Sequence, residues 1–175
     1  HDALPISMQT RALITELLKD KKGAYVRVGR NAVPDVYTED NFKFEMNKST
    51  LVKDGTDITF IATGEMVYHA KHAAEILEKA GISARVIDMY CVKPIDENAV
   101  LKAAEETKNI ITIEEHSIIC GMGSMVSQIV ARSGNAKVIN MGLPDTPVIS
   151  GTSPEVFEYY GLKGEGIAKK AKELL

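Results

Sequence analysis

At 175 residues the chain suits one domain with part of a second, and its 45% apolar and 26% charged residues provide for a packed core under a soluble surface. A formal net charge of −3 and a pI near 5.8 leave no basic footprint for nucleic acid, and no apolar run approaches the roughly 20 residues that cross a bilayer. Two cysteines, Cys91 and Cys120, are too few for a disulfide framework, so a reducing cytoplasm is the expected setting.

The first seven residues, HDALPIS, show neither a helical nor a strand period and resemble a translated adapter joined ahead of Met8. They are expected to be a non-native scar and are set aside. From Met8, MQTRALITELLKDKKG carries Leu13, Ile14, Leu17 and Leu18 at helical spacing and stops in lysines and Gly23. AYVRVGR follows as a short strand around Tyr25, Val26 and Val28. Residues 34–54, with Pro34, mixed polarity and no sustained period, are expected to be a linker.

After Gly55 strand and helix alternate. DITFIAT is a buried-type strand, and GEMVYHAKHAAEILEKAG is an amphipathic helix closed by Gly81. ISARVIDMY is the next strand, followed by a helix opened by Pro94 and Asp96. NIITIEE, a helix over GSMVSQIVARSG, the strand AKVINMG and two closing helices complete the pattern, the first of these capped by Ser153. Near-continuous apolar strands joined by short helical crossovers predict a three-layer α/β/α domain over 55–175 with a mostly parallel sheet. Residues 8–33 then read as the last helix and strand of another domain, since a lone helix and strand bury too little apolar area to fold.

Chemistry-bearing residues concentrate in EEHSIICGMGS, at the carboxyl end of a strand, where open parallel sheets place their ligands. A dinucleotide fingerprint needs a glycine at position 126, which is Val126, and an acidic residue after the next strand, which ends at Asn140. A nucleophile elbow needs glycines two positions either side of Ser124, where Met122 and Val126 stand. His116 and Cys120 lack a second ligand pair at metal-site spacing. His69 and His72 fall on the polar flank of their helix and are expected to be solvated. The Gly-x-Gly turn could present backbone N–H groups to a phosphate, but Glu114 and Glu115 crowd the same mouth. The expectation is that the loop's own carboxylates satisfy those groups. His116 is its most interesting residue, with a structural role favoured over catalysis.

Read together, TFIATGEMVYHAKHAAEILEKAGISARVIDMYCVKPID, EEHSIICGMGS and GLPDTPVISGTSPEVFEYYGL resemble the C-terminal domain of transketolases, above all the small subunit of transketolases divided between two chains. The resemblance spans about residues 24–175. It extends more distantly to 1-deoxyxylulose-5-phosphate synthases and to the β subunits of 2-oxoacid dehydrogenases, which stand as enzymatic alternatives. A non-catalytic interaction or regulatory domain is the alternative of another class.

The resemblance implies that residues 8–33 are a remnant of a pyrimidine-binding domain, and that Arg30, in the GR turn after its closing strand, contacts the phosphate of a sugar substrate. A guanidinium suits that role because it binds phosphate bidentately. It implies thiamine diphosphate and a divalent cation, Mg, in the complete enzyme, held by another part of it and not by this chain. It further implies transfer of a two-carbon ketol unit between sugar phosphates in the pentose phosphate pathway, and a dimer. The partner is an N-terminal subunit or a missing N-terminal region, without which the chain is inactive. No catalytic residue is assigned to the chain itself.

Overall fold

The structure is a computed structural model and describes residues 2–3, 7–20, 22–29, 32–38, 40 and 42–175. The chain opens with β1 (Asp2–Ala3), α1 (Ser7–Leu17) and β2 (Tyr25–Val26). There follow β3 (Thr50–Lys53), β4 (Ile58–Ala62), α2 (Met66–Glu78), β5 (Ala84–Asp88) and β6 (Cys91–Lys93). The remainder is α3 (Glu97–Thr107), β7 (Asn109–Ser117), α4 (Met122–Ser133), β8 (Lys137–Leu143), α5 (Ser153–Tyr159) and α6 (Gly164–Leu174).

Five strands form the main sheet in the order β3-β5-β4-β7-β8. The pairs β4–β5, β4–β7 and β7–β8 are parallel, whereas β3 runs antiparallel to β5. Every residue of β4 and β5 is buried, as strands covered on both faces require. Side chains alternate between two cores. Ile58, Phe60, Ala62, Ile111 and Ile113 pack with α2, α5 and α6, whereas Ile61, Ile87 and Ile110 pack with α3 and α4. This is the three-layer α/β/α arrangement expected from the alternation of elements.

Several local expectations are refined. Residues 50–53, read as the end of the linker, form the edge strand β3, whose partly exposed pattern at Leu51, Val52 and Lys53 hides it from a search for buried runs. Thr152, not Ser153, precedes the first helical residue of α5, and its N–H and hydroxyl both donate to Glu155 at 2.8 Å. Asp96 caps α3 as expected, accepting from the Ala99 N–H at 3.4 Å. His69 and His72 are half-buried packing residues. The ring of His69 meets Phe157 edge-on at 5.8 Å, and a Cβ added at Gly164 would lie 2.6 Å from His72 Nδ1. Burial, then Lys163 and His72, lower the pKa of His69. These two histidines therefore seat α5 and α6 on α2.

The stretch before β3 is no loose tether. Val36 and Tyr37 are buried, and an aromatic ladder runs Tyr37–Phe42–Phe44–Tyr90 with centroid spacings of 5.3, 6.4 and 5.2 Å. The Tyr90 hydroxyl donates to the Glu45 carbonyl at 3.0 Å and accepts from the Asn47 N–H at 2.9 Å. Asp96 accepts from the Ser49 N–H at 3.0 Å. The described residues between 36 and 49 form a strap built onto the α/β domain. At the amino end, Asp2–Ala3, within the segment set aside as foreign, pairs with β2 and β6 in a second, three-stranded sheet.

Candidate functional site

From β4 the chain leaves through α2 toward β5, and from β7 it leaves through α4 in the opposite direction toward β8. The helices lie on opposite faces of the sheet, so the carboxyl ends of β4 and β7 form the topological switch point where α/β folds open a crevice. The residues found there are Thr63, Gly64 and Glu65 after β4, and Glu114, Glu115 and His116 in the last part of β7. The two strand ends are tied by the Thr63 N–H donating to the Ile113 carbonyl at 3.3 Å.

Glu114 is 4% exposed and points to the α4 side. Its Oε2 accepts from the Met122 N–H and its Oε1 from the Gly123 N–H, both at 2.8 Å. A helix begins with unsatisfied N–H groups and a partial positive charge, and a buried carboxylate answers both. Gly121 makes this approach possible, and Gly123 lets the start of α4 sit against Thr112 and Asn140. A Cβ at Gly121 would lie 2.6 Å from Glu114 Oε1, and one at Gly123 would lie 2.5 Å from Thr112 Oγ1. Asn140, standing where a ribose-binding acid was sought, accepts from Thr112 Oγ1 at 2.9 Å and donates to Ser127 at 3.1 Å, bracing β7, β8 and α4.

The expectation that the loop satisfies its own N–H groups therefore holds for Glu114. It does not describe Glu115, which turns to the other face and meets Glu65, the residue at the N-cap position of α2. Burial first, and then the hydrogen bond and charge of Glu115, push the Glu65 carboxyl up to about 7.

The other reactive side chains are not gathered. His116 is exposed, with Nδ1 2.8 Å from the Ser117 carbonyl oxygen. Ser124 donates to the Ile118 carbonyl at 3.1 Å, which closes its own loop. Cys120 is exposed at a left-handed turn with φ of 59°. Among the described residues no group of three or more His, Cys, Asp or Glu is placed to hold a metal ion. Arg30 lies outside the described residues. The cradle that the Gly-x-Gly turn offers a phosphate is filled by Glu114, so these residues do not fit the diphosphate of thiamine diphosphate there. Two contacts escaped sequence reasoning: the Glu65–Glu115 pair and a buried Asp88 reached by Tyr37. Only Asp88 carried a signal, a single acid within the apolar run VIDM.

Residues 47–167 match the model of the transketolase C-terminal domain. The chain belongs to the transketolase C-terminal domain family. It is 48% identical over 167 residues to a subunit of the apulose-4-phosphate transketolase of Phocaeicola vulgatus, covering 95% of this chain and 53% of that protein. A putative transketolase C-terminal section of Methanocaldococcus jannaschii is 40% identical, covering 94% of this chain and 52% of the relative. Among solved structures, a split-gene transketolase described as an inactive β4 tetramer superposes with a TM-score of 0.89 at 34% identity, covering 98% of this chain and 56% of that one. The chain thus spans about half the length of the curated relatives it matches. Within this transketolase-type domain no helix among the described residues is long and apolar enough to cross a membrane.

Proposed function

We propose that the chain is the C-terminal part of a thiamine-diphosphate-dependent transketolase, which moves a two-carbon ketol unit between sugar phosphates in the cytoplasm and serves the pentose phosphate pathway. The observation that carries this reading is coverage: nearly the whole chain aligns with transketolase subunits while accounting for about half of each. The cofactor supplies the electron sink for the ketol carbanion, and the protein orients the sugar phosphate. Thiamine diphosphate and Mg belong to an N-terminal subunit or region in this reading, and a second copy of the chain joins the assembly. The chain alone is inactive. Glu114 supports the division of labour, because it occupies the phosphate-type cradle of this domain with a side chain.

Reconstitution tests the proposal. The chain, completed by its upstream sequence and mixed with a thiamine-binding subunit, is expected to transfer ketol units among sugar phosphates, with apulose 4-phosphate and the pentose phosphates compared side by side. Activity with 2-oxoacids instead, or none above background with any sugar phosphate, would overturn it. Arg30 is assigned to the substrate phosphate. Arg30→Ala is expected to raise KM for phosphorylated acceptors tenfold or more, since a bidentate charged contact contributes about 1.5–3 kcal/mol. An unchanged KM removes that assignment.

A further inference from the structure

The strap is fastened to the α/β domain at both ends, by contacts of different chemistry. At its carboxyl end Tyr90 holds the backbone of Glu45 and Asn47, and Asp96 holds Ser49 with Lys48 at 3.8 Å to balance its charge. At its amino end the fastening is Asp88, the last residue of β5, which is 0% exposed. Asp88 Oδ2 accepts from the Tyr37 hydroxyl at 2.7 Å, while Oδ1 has no hydrogen-bond partner among the described residues. Gln9 of α1, itself 0% exposed, donates to the same Tyr37 hydroxyl at 3.3 Å, so α1 is carried by this contact as well.

Among the described residues no cation answers Asp88. Thr50 stands opposite it on β3 and Ala62 beside it on β4, and neither is charged. Tyr37 from the strap and Tyr90 two residues onward are the titratable groups that face it, and burial raises the pKa of both. Lys71 of α2 donates instead to the Val36 carbonyl at 3.3 Å, on the strap backbone. A carboxylate buried with one oxygen unsatisfied and no countercharge is costly, whereas the protonated acid is tolerated.

We propose that the Tyr37–Asp88 contact is a proton-operated clasp: with Asp88 protonated it holds the strap and α1 against the C-terminal domain, and loss of that proton loosens them while the domain stays folded. Burial pushes the Asp88 carboxyl up to about 7 from its ordinary 3.8, against the lesser, opposing influence of Tyr37 and Gln9. Released into water, the group returns to the ordinary carboxylate range. The docked pKa is the higher one, so docking is tightest below about pH 4, weakens as much as tenfold per unit toward pH 7, and levels above it. The carboxyl-end fastenings keep the strap tethered throughout.

Hydrogen exchange on the complete native chain, corrected for intrinsic rates, tests the clasp. Peptides from 32–38 and from α1 are expected to lose protection at least tenfold between pH 5 and pH 7, with β4 unchanged. Asp88→Asn should abolish that dependence, and Tyr37→Phe should lower strap protection at every pH while sparing β4. A flat wild-type profile, an unaltered slope in Asp88→Asn, or a parallel loss in β4 would overturn the proposal. Were Asp88→Asn unable to fold, strap protection in Tyr37→Phe equal to wild type would overturn it by itself.

Discussion

Glu114 and Glu115 are neighbours on one strand, yet the pleat sends them to opposite faces of the sheet and into opposite circumstances. Glu114 is nearly inaccessible but receives two backbone N–H groups and the positive end of α4. Glu115 is half-buried and meets another acid at the start of α2. One carboxylate completes a helix, and the other sits where it opposes the charge of Glu65. The difference shows that burial alone does not decide whether an acid stabilises a fold. What decides is whether the groups it faces are donors or fellow acids.

The comparison breaks most sharply at Glu114. Glu114→Ala is expected to destabilise the domain by about 2–4 kcal/mol, because two charge-assisted bonds vanish and two buried N–H groups lose their acceptor. Glu114→Gln should recover part of that loss, and urea unfolding measures both. Next comes the close contact of α4 with β7 and β8. Gly123→Ala places a Cβ 2.5 Å from Thr112 Oγ1 and 2.8 Å from Asn140 Cγ, with an expected cost of about 1–3 kcal/mol on the same assay.

The smallest effect lies on the other side of the pair. Because the pKa of Glu65 is raised from 4.5 to about 7, the pair costs no stability below 4.5, and its cost grows progressively as pH rises between those values. Glu115→Gln should flatten that window and return Glu65 toward 4.5, as followed by NMR titration of its carboxyl. The stability change should stay below about 1 kcal/mol, since both side chains reach solvent that screens them. A Glu65 titration unmoved by Glu115→Gln would show that burial alone raises it.

What could be foreseen from sequence follows from where the periodicity is strong. The strands ITFIA, ARVID and NIITIEE and the helices between them announce themselves through apolar runs and caps, and the family blocks reinforce them. The self-satisfied turn was also legible, because anions beside free N–H groups leave few other arrangements. The strap was not. Val36, Tyr37, Phe42 and Phe44 are spaced irregularly and pack onto Tyr90 and the α2 face through tertiary contacts that no local period encodes. His69 and His72 misled for a related reason: their helix face looks polar until α5 and α6 return to cover it. The Glu65–Glu115 pair joins residues fifty positions apart, and only the sheet order brings them together.

The strap also bears on where this protein can be cut. The family match begins at residue 47, and trimming there would look natural on an alignment. Such a cut removes Val36, Tyr37, Phe42 and Phe44, strips one side of Tyr90, and leaves Asp88 without its donor. A dissection that respects the physics places its boundary upstream of Val36. The modular unit for grafting or recombination is therefore longer than the stretch from residue 47 that the family match marks.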